Sequence, residues 1–365
     1  DELIKRFLVF WEDTKPDVIT GWNVRFFDMP YLINRTNNIL GLEYVKKFSP
    51  WGMVEGGKIT RRNKEDLVYD IRGIQILDYL ELFQKFGYTY GQQESYRLNH
   101  IAYVVLGEKK LSYEESGSLK NLYKDDFQKY IDYNMKDVQL VDKLEEKMGL
   151  ITLAMTIAYK GGVNYTDTFG VTSMWESVIY RKLNSEKRVP PLENFIQCKS
   201  KKFAGAYVKH PQTGMHDWVV SFDLNSLYPN IIVQWNMSPE TLVDQSHENG
   251  IDHYLRNKDK VVSTHAVSAN GSTYSKKSIG VIPDLIIDYY SDRRSIKEMM
   301  LAAEQQYQKE KTFQLEKEIN TLHNQQMAIK ILMNSLYGAL GNQYFKYYDL
   351  RLAEGVTLTG QLAIQ

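Results

Sequence analysis

The sequence predicts a multidomain protein that joins an α/β layer to an α+β part. Residues 1–145 alternate between helical and strand patterns, which is typical of an α/β layer. Strand patterns return at 216–282, and two long helical patterns follow, at about 283–311 and 313–337. The connection between these two helices is very short, so we expect them to lie antiparallel. A chain of 365 residues is long enough for two or three such domains.

In the first part, side-chain spacing indicates the individual elements. Ile4, Phe7 and Leu8 share one face of a helix, and DVITGW has the pattern of a short buried strand. Further along, GMVEGGKIT and LVYDIRGIQILDYL predict a β-hairpin that turns at Gly56-Gly57. Helices and strands therefore follow each other closely in this part of the chain.

The middle of the chain changes from helices back to strands. Residues 150–200 are mainly helical until VPP at 189–191 breaks the pattern. The apolar run WVVSF then predicts a buried strand that ends at Asp223, and Asn270-Gly271 marks a tight hairpin. Gly338 is suited to end the second long helix.

Composition and charge exclude only a few classes of protein. The 45 Lys and Arg residues balance the 45 Asp and Glu residues, so a basic surface for nucleic acid would have to be local. The single cysteine, Cys198, excludes an intramolecular disulfide framework and a cysteine-rich zinc site, which favours a reducing compartment. No apolar run reaches the roughly 20 residues of a membrane-spanning helix, and no signal peptide opens the chain. We therefore expect a cytoplasmic protein with no membrane partner.

Asp223 is the first candidate for chemistry. The mouth of a strand is a common place for a metal-binding carboxylate, because the strand fixes its position while substrate can still reach it. The alternative is that Asp223 caps the following helix. Pro229 suits the first turn of that helix, and Ser226 can serve as its cap. The helix therefore does not need Asp223.

The two long helices carry the second group of candidates. Polar side chains on the second helix recur at four, four and three residues, which places them on one face: Gln326, Lys330, Asn334 and Tyr337. On the first helix, Arg293 and Lys297 lie one turn apart, and antiparallel packing can bring them beside Lys330. Three converging cations suit a polyphosphate. The alternative is a solvated charged face.

Several ordered motifs resemble those of family B DNA polymerases, in particular the replicative enzymes of T-even-type bacteriophages. DLNSLYP and KILMNSLYG resemble polymerase motifs A and B, and GVIPDLI and DRRSIK between them resemble parts of the fingers. GWNVRFFDMPYL resembles exonuclease motif II, Asn-x-x-x-Phe-Asp, and YNMKD resembles motif III, Tyr-x-x-x-Asp. FAGAYV resembles the link between the two domains. The resemblance covers nearly the whole chain.

This resemblance implies a fold and a set of domains. The fold is a partial RNase H-like 3′–5′ exonuclease domain, a partial palm and a two-helix antiparallel fingers domain. The implied boundaries are 1–145 for the exonuclease part, 146–215 for a helical connector, 216–282 for the palm, 283–340 for the fingers and 341–365 for a return into the palm.

For the polymerase site, the resemblance implies that Asp223 and the Leu224 carbonyl bind two catalytic Mg²⁺ ions, for which Mn²⁺ can substitute. Tyr228 would leave no space for a 2′-hydroxyl, so the site would accept deoxynucleoside triphosphates and exclude ribonucleotides. The implied nucleotide-binding residues are Leu224, Ser226, Leu227, Tyr228, Arg293, Lys297, Lys330, Asn334 and Tyr337.

For the exonuclease site, the resemblance implies that Asp28 and Asp137 bind two further metal ions and that Tyr133 positions a water molecule. Alone, Tyr133 and Asp137 could equally be a surface pair at i and i+4 of a helix. Phage relatives carry a β-hairpin that helps to separate the primer strand, and the predicted hairpin at Gly56-Gly57 falls at that place. The alternative is a plain surface hairpin.

A local basic stretch, KSKKFAGAY, is predicted to contact primer–template DNA through phosphates. The predicted DNA-binding residues are Lys199, Lys201, Lys202, Gly205, Tyr207 and Gly338. The alternative is a solvated linker.

The sequence departs from the family pattern in two places. Exonuclease motif I, Asp-x-Glu, is expected before residue 1, and polymerase motif C, Tyr-Gly-Asp-Thr-Asp, is expected after residue 365 together with the thumb. We therefore expect a fragment that is inactive alone, in the cytoplasm of a phage-infected bacterial cell, with a sliding clamp as a partner of the full-length protein only. The alternatives are one subunit of a split polymerase, completed by a C-terminal fragment, and a non-catalytic nucleic-acid-binding module.

Overall fold

The computed structural model describes residues 1–61, 64–190, 205–245 and 264–364. The chain divides into two compact units. The first comprises Asp1–Met155 and Asn164–Phe169, and the second comprises Thr156–Val163 and Gly170–Gln365. Within the described ranges, no helix combines the length and the apolar character that crossing a membrane requires.

The first unit mixes helices with two small pairs of strands. In chain order its elements are α1 (Glu2–Thr14), β1 (Val18–Gly21), α2 (Asp28–Leu40), α3 (Leu42–Val45), β2 (Val54–Arg61), β3 (Lys64–Ile71), β4 (Gln75–Asp78), α4 (Tyr79–Phe86), α5 (Leu98–Leu106), α6 (Leu119–Asp125) and α7 (Phe127–Met148). The next helix, α8 (Leu150–Gly161), contributes residues to both units. The predicted first helix and first strand are confirmed.

Parallel pairing of β1 with β4 organises the first unit. The register runs from Val18 opposite Gln75 to Gly21 opposite Asp78, so both strands end at the same edge. A hydrophobic core supports this pair, and its buried residues are Leu8, Val24, Met29, Ile33, Val45, Phe48, Ile71, Ile74 and Ile76. The strand ends are therefore held on a packed base, with the following loops at one edge.

The predicted hairpin exists, but its turn is not at Gly56-Gly57. Strands β2 and β3 pair antiparallel from Val54 opposite Ile71 to Arg61 opposite Lys64, so both glycines lie inside β2. Gly56 is opposite Tyr69, and a Cβ added there would lie 3.1 Å from Cε1 of that ring. The glycine at 56 thus makes room for a cross-strand aromatic side chain and does not mark a turn.

The second unit is mainly helical. Its elements are α9 (Val171–Ser185), α10 (Leu227–Gln234), β5 (Leu242–Gln245), β6 (Ala266–Val267), β7 (Ser272–Tyr274), α11 (Val281–Lys309), α12 (Phe313–Leu340) and α13 (Leu350–Ile364). The three strands form an antiparallel sheet in the order β5-β7-β6. The predicted hairpin at Asn270-Gly271 is confirmed as the connection from β6 to β7.

The predicted helix pair is confirmed, with small shifts at its ends. Helices α11 and α12 are separated by residues 310–312, and their facing sides share a hydrophobic cluster: Ile296, Met300, Ala303, Leu322, Ile329 and Met333. The Thr312 side chain caps α12 by accepting a hydrogen bond from the Leu315 N–H. The prediction that Gly338 ends this helix is wrong, since α12 continues to Leu340 and its C-cap is Gly341.

The predicted strand that leads to Asp223 is also absent. Residues 205–225 contain no helix or strand and are exposed throughout, with Trp218 98% and Phe222 90% accessible. A strand requires a neighbour for its backbone N–H and C=O groups. No strand of the described residues pairs with WVVSF, so its apolar pattern alone does not make it a strand.

Trp175 provides a test of how the second unit is held together. It is fully buried on α9, and its Nε1–H donates to the Leu332 carbonyl and to Ser335 Oγ, both at 3.1 Å. Trp175→Phe should lower the free energy of unfolding by about 1–3 kcal/mol, because it leaves a small cavity and removes these bonds. Urea unfolding followed by circular dichroism measures the change.

The matched control is Trp218→Phe, at a fully exposed tryptophan. This variant should stay within about 0.5 kcal/mol of the parent protein. Equal unfolding midpoints for the two variants would contradict the role given to Trp175.

Candidate functional site

One pocket of the first unit brings the predicted exonuclease residues together. Asp28, Tyr133 and Asp137 all line a cavity of about 1630 Å³. The three come from distant parts of the chain, because Asp28 begins α2 whereas Tyr133 and Asp137 lie one turn apart on α7. The last two therefore face a pocket, and their role in an exonuclease site stays a prediction.

The Asp28 carboxyl is partly removed from bulk water by the walls of this pocket. Although the residue is open to the cavity, desolvation raises the pKa of its side chain, while a hydrogen bond from its own backbone N–H acts in the opposite direction. A desolvated carboxylate gains from a nearby cation. Asp28 is therefore well suited to bind a positively charged group in the pocket.

Lys110 supplies one cation, and sequence reasoning did not identify it. Its Nζ lies 2.6 Å from Asp137 Oδ2 and 3.4 Å from Tyr133 Oη. The ammonium thus joins the two α7 side chains in one charged cluster. Lys110 precedes Asp137 by 27 residues, and its only sequence signal is its position in the basic dipeptide of GEKKLSY.

Asp137 retains a free position for a second cation. Its Oδ1 is buried and has no hydrogen-bond partner among the described residues. A buried unpartnered carboxylate oxygen is costly, and a metal ion would relieve that cost. However, no group of three or more Asp, Glu, His or Cys side chains in the described ranges is close enough to hold a metal ion. The pocket therefore fits part of a Mg²⁺ ligand set, through Asp28 and Asp137.

Asp78 fixes the loop between β1 and α2 that leads to Asp28. The Asp78 carboxylate is fully buried and accepts hydrogen bonds from the backbone N–H groups of Asn23, Arg25 and Leu80, each at 3.0 Å. Burial raises its pKa to about 6, although these three N–H groups act to lower it. Asn23 has a φ of 67°, in the left-handed region, so the loop adopts a conformation that requires such support.

In the second unit, Asp223 is open to solvent and unfixed. It makes no hydrogen bond or ion pair with the rest of the described chain, and the neighbouring Leu224 is also exposed. Ser226 is the N-cap of α10 by position, but among the described residues its hydroxyl donates only to Asn225 Oδ1, at 3.4 Å. Its φ of 50° is left-handed, whereas a capping side chain normally acts from an extended backbone. The predicted Ser226 side-chain cap is therefore wrong.

Tyr228 and Tyr337 bring the two polymerase-like motifs into contact. Their ring centroids are 4.9 Å apart and their planes are inclined by 53°. Burial raises the pKa of both phenols, and Tyr228 raises that of Tyr337 further. A Cβ added at Gly360 would lie 3.0 Å from Cε1 of Tyr228, so α13 closes one side of this pair. Leu227 precedes it as the first residue of α10.

The three predicted phosphate-binding cations are not neutralised. Arg293 donates to Gln326 Oε1 at 3.4 Å, while Lys297 and Lys330 are exposed. In the part of the chain that the structure describes, none of them forms an ion pair with a carboxylate. Gln326 is buried between the helices, whereas Lys330 and Asn334 of its predicted face are exposed and Tyr337 is half-buried.

The predicted DNA-binding residues are only partly described. Lys199, Lys201 and Lys202 lie outside the described residues. Gly205 and Tyr207 are exposed, and the Gly205 carbonyl accepts a hydrogen bond from Gln361 Nε2 at 2.6 Å. Gly338 is exposed on α12, with no heavy atom within 4 Å of where its Cβ would be. These three positions are accessible to a large ligand.

Comparison with known proteins identifies the family of the chain. Residues 168–365 match DNA polymerase family B, and residues 1–101 match the exonuclease domain of that family. The chain belongs to DNA polymerase family B. It is 32% identical to the DNA-directed DNA polymerase of Enterobacteria phage T4 over 406 aligned residues, which cover all of this chain and 44% of the phage protein.

Two further family B relatives show the range of similarity. The DNA-directed DNA polymerase of Escherichia phage RB69 is also 32% identical, with the whole chain and 44% of the phage protein covered. DNA polymerase 1 of Pyrococcus abyssi is 26% identical, with 99% of the chain and 43% of that protein covered. The chain thus spans less than half the length of each of these family B relatives.

Asp78 makes the stability of this family B chain depend on pH. Its folded-state pKa of about 6 lies above the ordinary value of 3.8, so between these values the folded protein keeps a proton that the unfolded chain has lost. The free energy of unfolding should therefore fall as pH rises from about 4 to 6, by about 3 kcal/mol from this group. Urea unfolding at several pH values measures it.

Asp78→Asn cannot titrate and serves as the comparison. Other groups contribute equally to both proteins, so the difference between them should change between pH 4 and 6 and stay constant above pH 7. A difference that does not vary with pH would show that Asp78 is not held as described.

Proposed function

We propose that this chain is part of an enzyme that removes nucleotides from DNA 3′ ends in its first unit and adds deoxynucleotides to primers in its second. The observation that best supports this is the shared pocket of Asp28, Tyr133 and Asp137, with an unpartnered carboxylate oxygen on Asp137. These residues lie in the stretches that resemble exonuclease motifs II and III. A binding module would have no need for a buried oxygen of this kind.

In the exonuclease site, Asp28 and Asp137 would hold Mg²⁺, for which Mn²⁺ can substitute. The bound metal supplies an activated water and charge stabilisation at the phosphate. Tyr133 is within reach of Lys110 Nζ, which fixes its hydroxyl beside Asp137 and lets it orient a water molecule. Lys110 balances the charge of Asp137 until DNA and metal bind, and can then approach a phosphate oxygen.

In the polymerase site, Asp223 and the Leu224 carbonyl would hold the metal ions. Arg293, Lys297 and Lys330 would bind the triphosphate, which accords with the absence of carboxylate partners for them among the described residues. Among the described residues, Asp223 belongs to no group of three or more Asp, Glu, His or Cys side chains that could hold a metal ion. We therefore propose that a C-terminal polymerase segment completes this ligand set.

Tyr228 would act as the gate that excludes ribonucleotides. Its contact with Tyr337 and the close approach of Gly360 fix the ring, so the ring cannot move aside for a 2′-hydroxyl. Asn334 and Tyr337 would pack against the nascent base pair, and the backbone of Ser226 and Leu227 would support the phosphates.

These roles define the proposed domains and partners. Residues 1–145 would form the exonuclease domain, 146–215 the connector, 216–282 and 341–365 parts of the palm, and 283–340 the fingers. Primer–template DNA would contact the basic stretch at Lys199, Lys201 and Lys202, the adjacent Gly205 and Tyr207, and Gly338 on the fingers. The proposed compartment is the cytoplasm of a phage-infected bacterium, where a sliding clamp would join the full-length protein.

Separate substitutions should separate the two activities. In a form of the protein that extends a primer, Asp137→Asn should reduce primer shortening by more than about 100-fold, because it removes a metal ligand. Asp223→Asn should reduce extension to a similar degree and leave shortening intact. A gel with a labelled primer–template, with and without nucleotides, measures both. Equal loss of both activities in either variant would contradict the assignment of two sites.

Tyr228→Ala should admit ribonucleotides. The smaller side chain leaves space for the 2′-hydroxyl, so discrimination against ribonucleotides should fall by about 100-fold or more, at a cost of roughly 3 kcal/mol in selectivity. Competition between matched ribo- and deoxynucleotides measures it, and Tyr344→Ala, at an exposed tyrosine of the same unit, is the control. Unchanged discrimination in Tyr228→Ala would exclude the gate.

A further inference from the structure

An exposed aromatic cluster lies beside the exonuclease pocket and has no part in the proposed chemistry. Its members are Tyr123 near the end of α6, Phe127 at the start of α7 and Tyr130 one turn later. Tyr123 lies 5.4 Å from each of the other two ring centroids, and Phe127 and Tyr130 are stacked at 6.4 Å with 17° between their planes. Tyr123 and Phe127 are each 55% accessible.

The cluster continues the face of α7 that lines the pocket. Phe127, Tyr130, Asn134 and Asp137 follow each other at three, four and three residues, which places them on one side of the helix. Asn134 and Asp137 line the cavity. At 1.5 Å per residue, Tyr130 lies about 10 Å and Phe127 about 15 Å from Asp137 along the helix axis. A strand leaving the pocket along α7 would therefore meet these rings.

Cations accompany the rings on α6. Lys120 lies one turn before Tyr123 on that helix, and Lys124 directly follows Tyr123. Both lysines are exposed and form no ion pair within the described chain. Most of the acidic side chains nearby already have partners: Asp126 caps α7, Glu115 pairs with Lys129, and Asp132 accepts a hydrogen bond from Gln128. Asp125 has no such partner among the described residues. Aromatic rings interleaved with lysines are typical of surfaces that bind single-stranded nucleic acid without sequence preference.

We propose that Tyr123, Phe127 and Tyr130 form a stacking platform for the bases of single-stranded DNA that enters the pocket of Asp28, Tyr133 and Asp137. This inference rests on the proposed exonuclease function. The rings hold unpaired bases, whereas Lys120 and Lys124 attract the phosphates. Because bases in a duplex are already stacked on each other, the platform favours frayed or mismatched 3′ ends over paired ones.

Binding of a labelled oligothymidylate tests the proposal without catalysis. Binding is measured by fluorescence anisotropy in low salt. EDTA is present to prevent cleavage, since the binding itself requires no metal. Tyr123→Leu and Phe127→Leu keep apolar bulk for packing but remove the ring, and each should weaken binding by roughly five- to a hundredfold. Tyr123→Phe and Phe127→Tyr keep a ring and should bind as the parent protein does. Phe10→Ala, at a 65% exposed phenylalanine on α1, is the control and should change nothing.

A second readout reports stacking directly. An oligonucleotide with 2-aminopurine near its 3′ end should be quenched by the parent chain and regain fluorescence with Phe127→Leu. Unchanged affinity and quenching in both leucine variants would overturn the platform and leave the exonuclease function standing. Equal weakening of single-stranded and blunt duplex DNA would also overturn it. Failure of the parent chain to bind single-stranded DNA would contradict the proposed function itself.

Discussion

The pocket that contains Asp28 depends on the hydrogen bonds that the buried Asp78 carboxylate accepts. Because β1 and β4 run parallel, Asp78 lies opposite Gly21, and the chain that leaves β1 passes directly over its side chain. Three backbone N–H groups then converge on one charged group. Each would cost free energy if it were buried without an acceptor. The loop is therefore fixed in one conformation, and this conformation determines where α2 begins and where Asp28 lies.

In the second unit, packing between helices fixes most of the proposed site, but it does not fix Asp223. Its proposed nucleotide-binding groups lie on helices that are held by packing, through Trp175, the α11–α12 cluster and the Tyr228–Tyr337 contact. Asp223, in contrast, lies on an exposed segment without partners in the described residues. The helices can present their cations and aromatic rings in a fixed geometry, whereas the acid needs further structure or a bound ion to fix it.

The sequence correctly predicted elements that depend on local side-chain spacing, such as helices. Its predictions were wrong where contacts with residues distant in the chain determine the structure. Helices α1, α11 and α12 were predicted within about three residues, because a helical face is visible in a few turns. The turn at Gly56-Gly57 was wrong because the ring of Tyr69, which is 13 residues away from Gly56, explains that glycine. The WVVSF strand was wrong because a strand also requires a neighbour. The resemblance to exonuclease motifs II and III grouped Asp28, Tyr133 and Asp137, but Lys110 and Asp78 act through contacts that no local pattern shows.

The most direct measurement of the central claim is a titration of the chain with Mn²⁺, followed by electron paramagnetic resonance. If Asp28 and Asp137 are partial ligands of one pocket, Asp28→Asn and Asp137→Asn should each weaken Mn²⁺ binding by at least about tenfold. Asp125→Asn, at an exposed acid of the same unit, should leave that binding unchanged. Equal Mn²⁺ binding by the parent chain and all three variants would show that the pocket is not a metal site, and the exonuclease assignment would be wrong.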